Sequence, residues 1–256
     1  MTSDGGVLAI LQARMSSSRL QGKVLADVQG APMLARQIER IRRSRKVDEL
    51  CLATSTAASD DPVAALCEGI GVRVARGSLE DVLDRYYQAA LPVRPAHVVR
   101  VTGDCPLIDP AVIDEAIGLH LSGAFDYTSN TIHPTYPDGL DVEVFRFDAL
   151  RQAWSEARLA SQREHVTPFI KQQPERFRLG ELRNPVDLNA LRWTVDYPRD
   201  LEMVRQVYAA LYPTKPDFRM QDILELLERR PDIGTVNVDV ERDEGYRKSL
   251  EQDRTV

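Results

Sequence analysis

Three cations, Arg14, Arg19 and Lys23, stand among three serines and one glycine in the stretch Leu11-Gln12-Ala13-Arg14-Met15-Ser16-Ser17-Ser18-Arg19-Leu20-Gln21-Gly22-Lys23-Val24-Leu25. Serine hydroxyls and backbone N–H groups supply directed donors, arginine a planar fork for two oxygens at once, and lysine a mobile point charge, so the stretch suits a polyanion. Transfer at a phosphorus centre needs such charge held where the leaving oxygens accumulate theirs. Charge alone is equally compatible with an ordinary solvated basic loop. The spacing is neither G-x-x-x-x-G-K-[ST] nor G-x-G-x-x-G, which argues against a P-loop kinase and a nicotinamide enzyme.

A second constellation, Val101-Thr102-Gly103-Asp104-Cys105-Pro106-Leu107-Ile108-Asp109-Pro110, follows a short apolar run. In open α/β sheets ligands collect at the carboxyl ends of strands, so Asp104 is expected to point into the same crevice as the opening loop. A carboxylate there can hold Mg²⁺ and so neutralise phosphate charge. The competing role is a plain turn at Gly103-Asp104, while Asp109 reads as the cap of the next helix.

Alternating strands and helices must position these groups. Residues 7–11 form a first strand, and Pro32 opens a helix with Met33, Leu34, Ile38 and Ile41 on one face. Residues 50–54, 72–75 and 97–101 read as buried strands, with helices starting at Asp60-Asp61-Pro62 and Asp109-Pro110. Ser78-x-x-Asp81 resembles a capping box ahead of Leu79, Val82, Leu83 and Tyr86. This order predicts an α/β fold, three-layer, with a mainly parallel, Rossmann-like sheet and helices on both faces.

The pattern loosens at about 125–190, where strands at 126–129, 142–147 and 177–182 mix with helical runs at 149–158 and 162–172. We read this part as an elaboration of a single domain spanning 1–256, serving as substrate lid and dimer contact. Pro198 opens another helix, Met220 to Leu227 lie on the last strong one, and the charged tail from about 231 is expected to pack loosely.

The 256 residues, 43% apolar and 28% charged, suffice for one substantial globular domain. A net charge of −6 argues against a general nucleic-acid surface, so the local positive charge points to a small anionic ligand. Cys51, Cys67 and Cys105 are odd in number and lack C-x-x-C spacing, which suggests neither a disulfide framework nor a structural zinc site. Residues 1–6 carry no basic leader and no apolar run reaches membrane-spanning length, so a cytoplasmic protein without a membrane partner is expected.

On these segments the chain resembles the sugar cytidylyltransferases, most closely the spore-coat polysaccharide branch and more distantly the 3-deoxy-manno-octulosonate and acylneuraminate enzymes. The family opening reads approximately Q/P-A-R-x-x-S-x-R-L-P-G-K-x-L, with Gln21 here in place of the proline. A G-D-x-P-L segment matches Gly103 to Leu107, and V-D-x-P-x-D-L matches Val195-Asp196-Tyr197-Pro198-Arg199-Asp200-Leu201. The resemblance implies a fold of the nucleotide-diphospho-sugar transferase type and a Mg²⁺-dependent nucleotidyltransferase using CTP. By it, Gln12, Ala13, Arg14, Ser18, Arg19 and Lys23 bind the nucleotide, Arg14, Lys23 and Asp104 act in catalysis, and Asp104 and Asp196 hold the metal. Asp200 reads as structural.

Ala53-Thr54-Ser55 and Arg76-Gly77-Ser78 resemble family segments near the nucleoside, placing Ser55, Arg76 and Ser78 there, although strand-end turns explain them equally well. Asp138 to Phe145 and Arg163 to Pro168 resemble signature segments of the spore-coat branch. An acceptor with several hydroxyls and one acid group suits Asp141, Glu143, Arg163 and His165, and strand alternation puts Asp141 and Glu143 on one face. The implied reaction joins CTP to an acidic sugar or sugar phosphate, giving a CMP- or CDP-sugar and pyrophosphate, in a homodimer. Two other readings share the architecture: a nucleotide-sugar-dependent glycosyltransferase, whose D-x-D is here Gly103-Asp104-Cys105, and a non-catalytic binding protein.

Overall fold

Strand β1 (Val7–Gln12) is apolar on both faces because both are covered: Val7, Ala9 and Leu11 pack into one core layer, Leu8 and Ile10 into the other. The computed structural model describes residues 6–237, 242 and 244–256. After β1 come a 3₁₀ turn at Lys23–Leu25, a small hairpin β2 (Asp27–Val28) and β3 (Ala31–Pro32), and helix α1 (Met33–Ile41). The alternation continues with β4 (Glu49–Ser55), α2 (Asp61–Gly69), β5 (Arg73–Gly77), α3 (Val82–Ala90), β6 (His97–Thr102) and α4 (Pro110–Gly123). Strands β7 (Tyr127–Ser129) and β8 (Glu143–Arg146) precede α5 (Phe147–Glu156), α6 (Ala160–His165), α7 (Pro168–Lys171) and β9 (Leu179–Glu181). Helices α8 (Pro198–Leu211), α9 (Met220–Arg229), α10 (Pro231–Gly234) and α11 (Glu244–Glu251) follow.

Seven strands form one sheet in the order β5-β4-β1-β6-β8-β7-β9. β5, β4, β1 and β6 run parallel, β8 is antiparallel to both its neighbours, and β9 is parallel to β7. One layer packs α1, α4, α8 and α9 on the sheet, and the other packs α3, α5 and α7. The three-layer, mainly parallel α/β expectation therefore holds.

Three local expectations are corrected. Ser78 does not cap α3: Asp81 does, accepting from Asp84 N at 2.9 Å, while the Ser78 hydroxyl accepts from Glu80 N and Asp81 N in the turn before it. The helical run at 162–172 is two helices, because buried Val166 has φ 71 between α6 and α7. A β-branched residue pays strain in that region, and here the break turns Thr167 towards the cleft described below. The described part of the charged tail is anchored at defined points, while α11 itself buries no residue. Ile233 and Asn237 are buried, Asn237 Nδ2 donates to Asp200 at 2.8 Å, and Asp253 accepts from Ser161 Oγ at 2.7 Å. Its charges read as solvated in sequence because several of their partners, such as Ser161 for Asp253, Asp141 for Arg242 and Arg19 for Glu244, lie far away in the chain.

Candidate active site

The carboxyl ends of β1 and β6 lie side by side, with Gln12 opposite Thr102, so the loops leaving both strands share one edge of the sheet. Gly103 N donates to Gln12 O at 2.8 Å, and a Cβ at Gly103 would lie 2.8 Å from both Ala13 Cβ and Gln12 O. Only glycine allows the two loops to touch in this way. Asp104 O then accepts from Val195 N at 2.8 Å and Thr194 Oγ1 at 3.2 Å, bringing the Asp196 segment alongside. Gly139, at φ 110, completes the wall: a Cβ there would stand 2.6 Å from Trp193 C and Thr194 N. The result is a cleft of about 490 Å³ at the strand ends.

The opening loop is braced by its own backbone, with Gln21 at the family proline's position. Gly22 N donates to Met15 O at 3.0 Å with Gly22 at φ 71, and Met15 N is anchored on the Asp60 carboxylate at 2.7 Å. Gln21 itself is exposed in the turn. Gln12, Ala13, Arg14, Ser18, Arg19 and Lys23 all line the cleft. Arg14 is exposed and makes no ion pair or side-chain hydrogen bond among the described residues.

Lys23 is the electrostatic centre. Its ammonium donates to Val195 O at 2.6 Å and to Asp196 Oδ1 at 2.9 Å, and stands 3.7 Å from Asp104 Oδ2. Arg19 reaches Asp196 Oδ1 at 2.6 Å, and Arg192 reaches Asp196 Oδ2 at 3.0 Å. Burial pushes the Asp196 carboxyl up, but Lys23 and Arg19 overcome it and hold the group at about 2. Asp200, fully buried, accepts from Arg192, from Asn237 and from the backbone N–H groups of Asp196 and Tyr197, so it fixes the segment and the start of α8, as expected.

The opposite wall carries Asp141, Glu143 and His165. Glu143 is buried, paired with Arg100, and accepts from Tyr127 Oη at 2.6 Å and Thr167 Oγ1 at 2.5 Å. Burial alone would raise its carboxyl; Arg100, Lys171 and these hydroxyls bring it down to about 2, so it is an anion at neutral pH. Burial and nearby Arg100 push His165 down to about 4, and its Nε2 lies 2.9 Å from Ser249 Oγ, so the ring is neutral at pH 7. Asp141 pairs with Arg242.

Four expected site residues lie outside the cleft lining and are engaged elsewhere. Ser55 is buried and bonded to Asp60, Arg76 donates to Ser55 O and Ala57 O and pairs with Asp61, and Ser78 braces the turn before α3. Arg163 forks onto Asp81 and donates to Trp154 O at 2.7 Å, tying α6 to α3 and α5. Conversely, Arg100, Asp138, Lys171, Arg192, Glu244 and Tyr246 line the cleft and were not singled out from the sequence. Arg100 was detectable in principle, since a charge inside the apolar run Val98-Val99-Arg100-Val101 needs a buried partner. Burial and Asp141 lift Asp138 to about 7 against Arg242 and Arg192.

A mainly parallel sheet with a cation-rich loop and convergent aspartates at its strand ends defines a nucleotide-handling transferase of the nucleotide-diphospho-sugar transferase fold. Residues 8–239 match the profile of the family described as "Cytidylyltransferase", and the chain belongs to that family, as a nucleotidyltransferase. It is 34% identical to the spore coat polysaccharide biosynthesis protein SpsF of Bacillus subtilis (strain 168), over 90% of this chain and 97% of that one. The structure of a cytidylyltransferase from Leptospira borgpetersenii serovar Hardjo-bovis superposes with a TM-score of 0.85 at 29% identity, covering 93% of this chain and 99% of that one. The fold is also shared with CMP:2-keto-3-deoxy-manno-octonic acid synthetase complexed with CTP, at a TM-score of 0.59 and 22% identity, covering 80% of this chain and 99% of that chain. No helix among the described residues is long and apolar enough to cross a membrane.

Proposed function

We propose that the protein transfers a cytidylyl group from CTP to an acidic sugar or sugar phosphate, releasing pyrophosphate and a CMP- or CDP-sugar. The observation that carries this reading is the Lys23 ammonium between Asp104 and Asp196, next to the unpaired Arg14 and exposed Ser16 and Ser18. An acceptor oxygen attacks the α-phosphorus in line; the new O–P bond forms as the bridge to the β-phosphate breaks. Pyrophosphate leaves towards Arg14, Arg19 and Lys23, which neutralise its charge, while the loop's donors orient the triphosphate.

The residues fit a divalent ion. Asp104 and Asp196 turn hard oxygen donors onto one shared cation position, and Asp104 keeps 30% of its side chain exposed. Two carboxylates suffice for Mg²⁺, an ion that takes one or two of them and completes its shell with phosphate oxygens and water. Asp104 and Asp196 would hold it, and bound there it supplies charge neutralisation and alignment of the α-phosphate. Asp141, Glu143 and His165 would face the acceptor. Free, buried cysteines and a nucleotide substrate accord with a cytoplasmic enzyme, and the homodimer is proposed from the family resemblance alone.

A pyrophosphate-release screen of ATP, CTP, GTP and UTP against acidic and phosphorylated sugars with Mg²⁺ tests the reading. Release confined to CTP and dependent on the acceptor is expected. Sugar transfer from a nucleotide-sugar without pyrophosphate would favour the glycosyltransferase alternative.

Helix α11 adds a competitor for the triphosphate. Glu244 Oε2 stands 3.3 Å from Arg19 Nη1 and accepts from Tyr197 Oη at 2.9 Å, so an incoming nucleotide must share or displace it. Glu244→Gln is expected to tighten CTP binding about two- to fivefold in a calorimetric titration. Unchanged or weaker binding would remove Glu244 from that role.

A further inference from the structure

Charge pairing inside the cleft is nearly complete. Asp104 and Asp196 share Lys23, Asp138 faces Arg192, Glu143 faces Arg100, and Glu244 faces Lys248 and Arg19. Two lining cations stand apart: among the described residues, neither Arg14 nor Lys171 has an ion pair or a side-chain hydrogen bond. Arg14 belongs to the triphosphate loop. Lys171, the last residue of α7, belongs to the other wall.

Lys171 is half-buried, and its Nζ lies 5.1 Å from the centre of the Tyr246 ring, which α11 lays against it. Tyr246 is braced in turn: its hydroxyl accepts from Gln172 Nε2 at 2.9 Å, and its ring meets His165 edge-on at 4.9 Å. The ring's π-face steadies the ammonium but supplies no hydrogen-bond acceptor. Glu143, whose ionisation Lys171 favours, is already held by Arg100, Tyr127 and Thr167. An ammonium that exchanges water on one side for an aromatic face, with no hydrogen-bond acceptor among the described residues, is a binding group suited to an anion.

We propose that Lys171, seated on Tyr246, binds the carboxylate of the acceptor sugar and makes the enzyme select acids. The inference rests on the cytidylyltransferase reading and deepens it. A single negative charge fits better than a phosphate dianion. Among the described residues Lys171 is the one lining cation on this wall without an ion pair, His165 beside it is neutral, and the lining carboxylate of Glu164 adds negative potential. Thr167 and Glu143 next to it offer the polar contacts that a polyol carrying that carboxylate would use.

The test uses the full-length protein, saturating CTP and Mg²⁺, with 3-deoxy-manno-octulosonate and N-acetylneuraminate, their neutral carboxamides, and hexose phosphates as acceptors. Wild type should prefer the acids. Lys171→Met should raise the acceptor KM for the acids about tenfold or more while the KM for CTP stays within about twofold, and Lys171→Arg should recover most of the loss. The carboxamides should be equally poor for wild type and Lys171→Met. An unchanged acceptor KM, equal rises in both KM values, or a wild type that uses carboxamides as well as acids would overturn the proposal. Preference for hexose phosphates, with the Lys171→Met loss confined to them, would overturn the carboxylate assignment. Wild type that releases pyrophosphate from no nucleotide with any acceptor would instead overturn the cytidylyltransferase reading, and the inference with it.

Discussion

Asp104→Asn should leave a folded protein whose Mg²⁺-dependent pyrophosphate release from CTP falls by roughly 10³-fold. The fold should survive because what Asp104 gives the structure is mostly backbone: its carbonyl holds Val195 N and Thr194 Oγ1, and asparagine keeps that carbonyl. The side chain's single ion pair, at 3.7 Å to Lys23, is the longest contact of that ammonium. Asparagine is nearly isosteric but carries no charge, so it removes the anion without opening space. Asp196 would be a poorer probe, since it also pairs with Lys23, Arg19 and Arg192 and its loss would disturb the whole cluster. The measurement is initial rate against Mg²⁺ concentration, with the melting temperature as control. A melting temperature near that of wild type with a collapsed rate is the expected pair of results. Unchanged turnover would remove Asp104 from the metal and from catalysis.

The contrast between Lys23 and Arg163 shows what kind of site is legible in sequence. Lys23, Asp104 and Asp196 each lie in a short segment tied to the end of a strand or the start of a helix, and the topology of a parallel sheet brings such ends together. Their convergence follows from fold class once the strands are recognised. Arg163 is as competent a donor as Arg19, but its fork is spent on Asp81, 82 residues earlier in the chain. Residue type reports capacity to bind, and only the packing of α6 on α3 reports that the capacity is used up. The Ser55 hydroxyl is engaged in the same way, with Asp60 as its partner.

The omissions have a matching cause. Glu244 meets Arg19 across 225 residues and Gln172 meets Tyr246 across 74, contacts that no periodicity predicts. The tail looked like solvated charge because a run of Lys, Arg, Glu and Asp has the same composition whether its partners are water or a distant wall. Val166 marks another limit: nothing in the pattern at 162–172 announces a positive φ, yet that kink separates α6 from α7 and turns Thr167 onto Glu143. Backbone strain at such a position is tolerated only where surrounding packing fixes it, which is tertiary information.

Lys23→Ala should be the most damaging single change to nucleotide binding, weakening CTP about 10²-fold or more while acceptor affinity changes less than about threefold. Lys23 is 8% exposed and serves two carboxylates and a carbonyl, so its removal strips the triphosphate wall of its central charge. It should also cost stability, about 2–3 kcal/mol at neutral pH, because Arg19 and Arg192 remain to compensate Asp196 only in part. The pH dependence separates this cost from a packing loss. In wild type the folded Asp196 carboxyl sits at about 2, below its ordinary 3.8, so it contributes stability above the ordinary value and loses it as pH falls towards 2. Without Lys23, burial acts on Asp196 with less opposition and the depression shrinks, so less of that stability remains at neutral pH. The gap in melting temperature between wild type and Lys23→Ala should therefore be widest near pH 7 and narrow below about pH 4. A gap that stays constant with pH would mean that the lost methylenes matter and the charge does not. Lys23→Arg, which keeps the charge on a different geometry, should restore the melting temperature more fully than the turnover, because holding two carboxylates needs only a cation while following a departing pyrophosphate needs a compact charge on a flexible stem. Equal losses of CTP and acceptor binding in Lys23→Ala would instead take the departing pyrophosphate away from this residue.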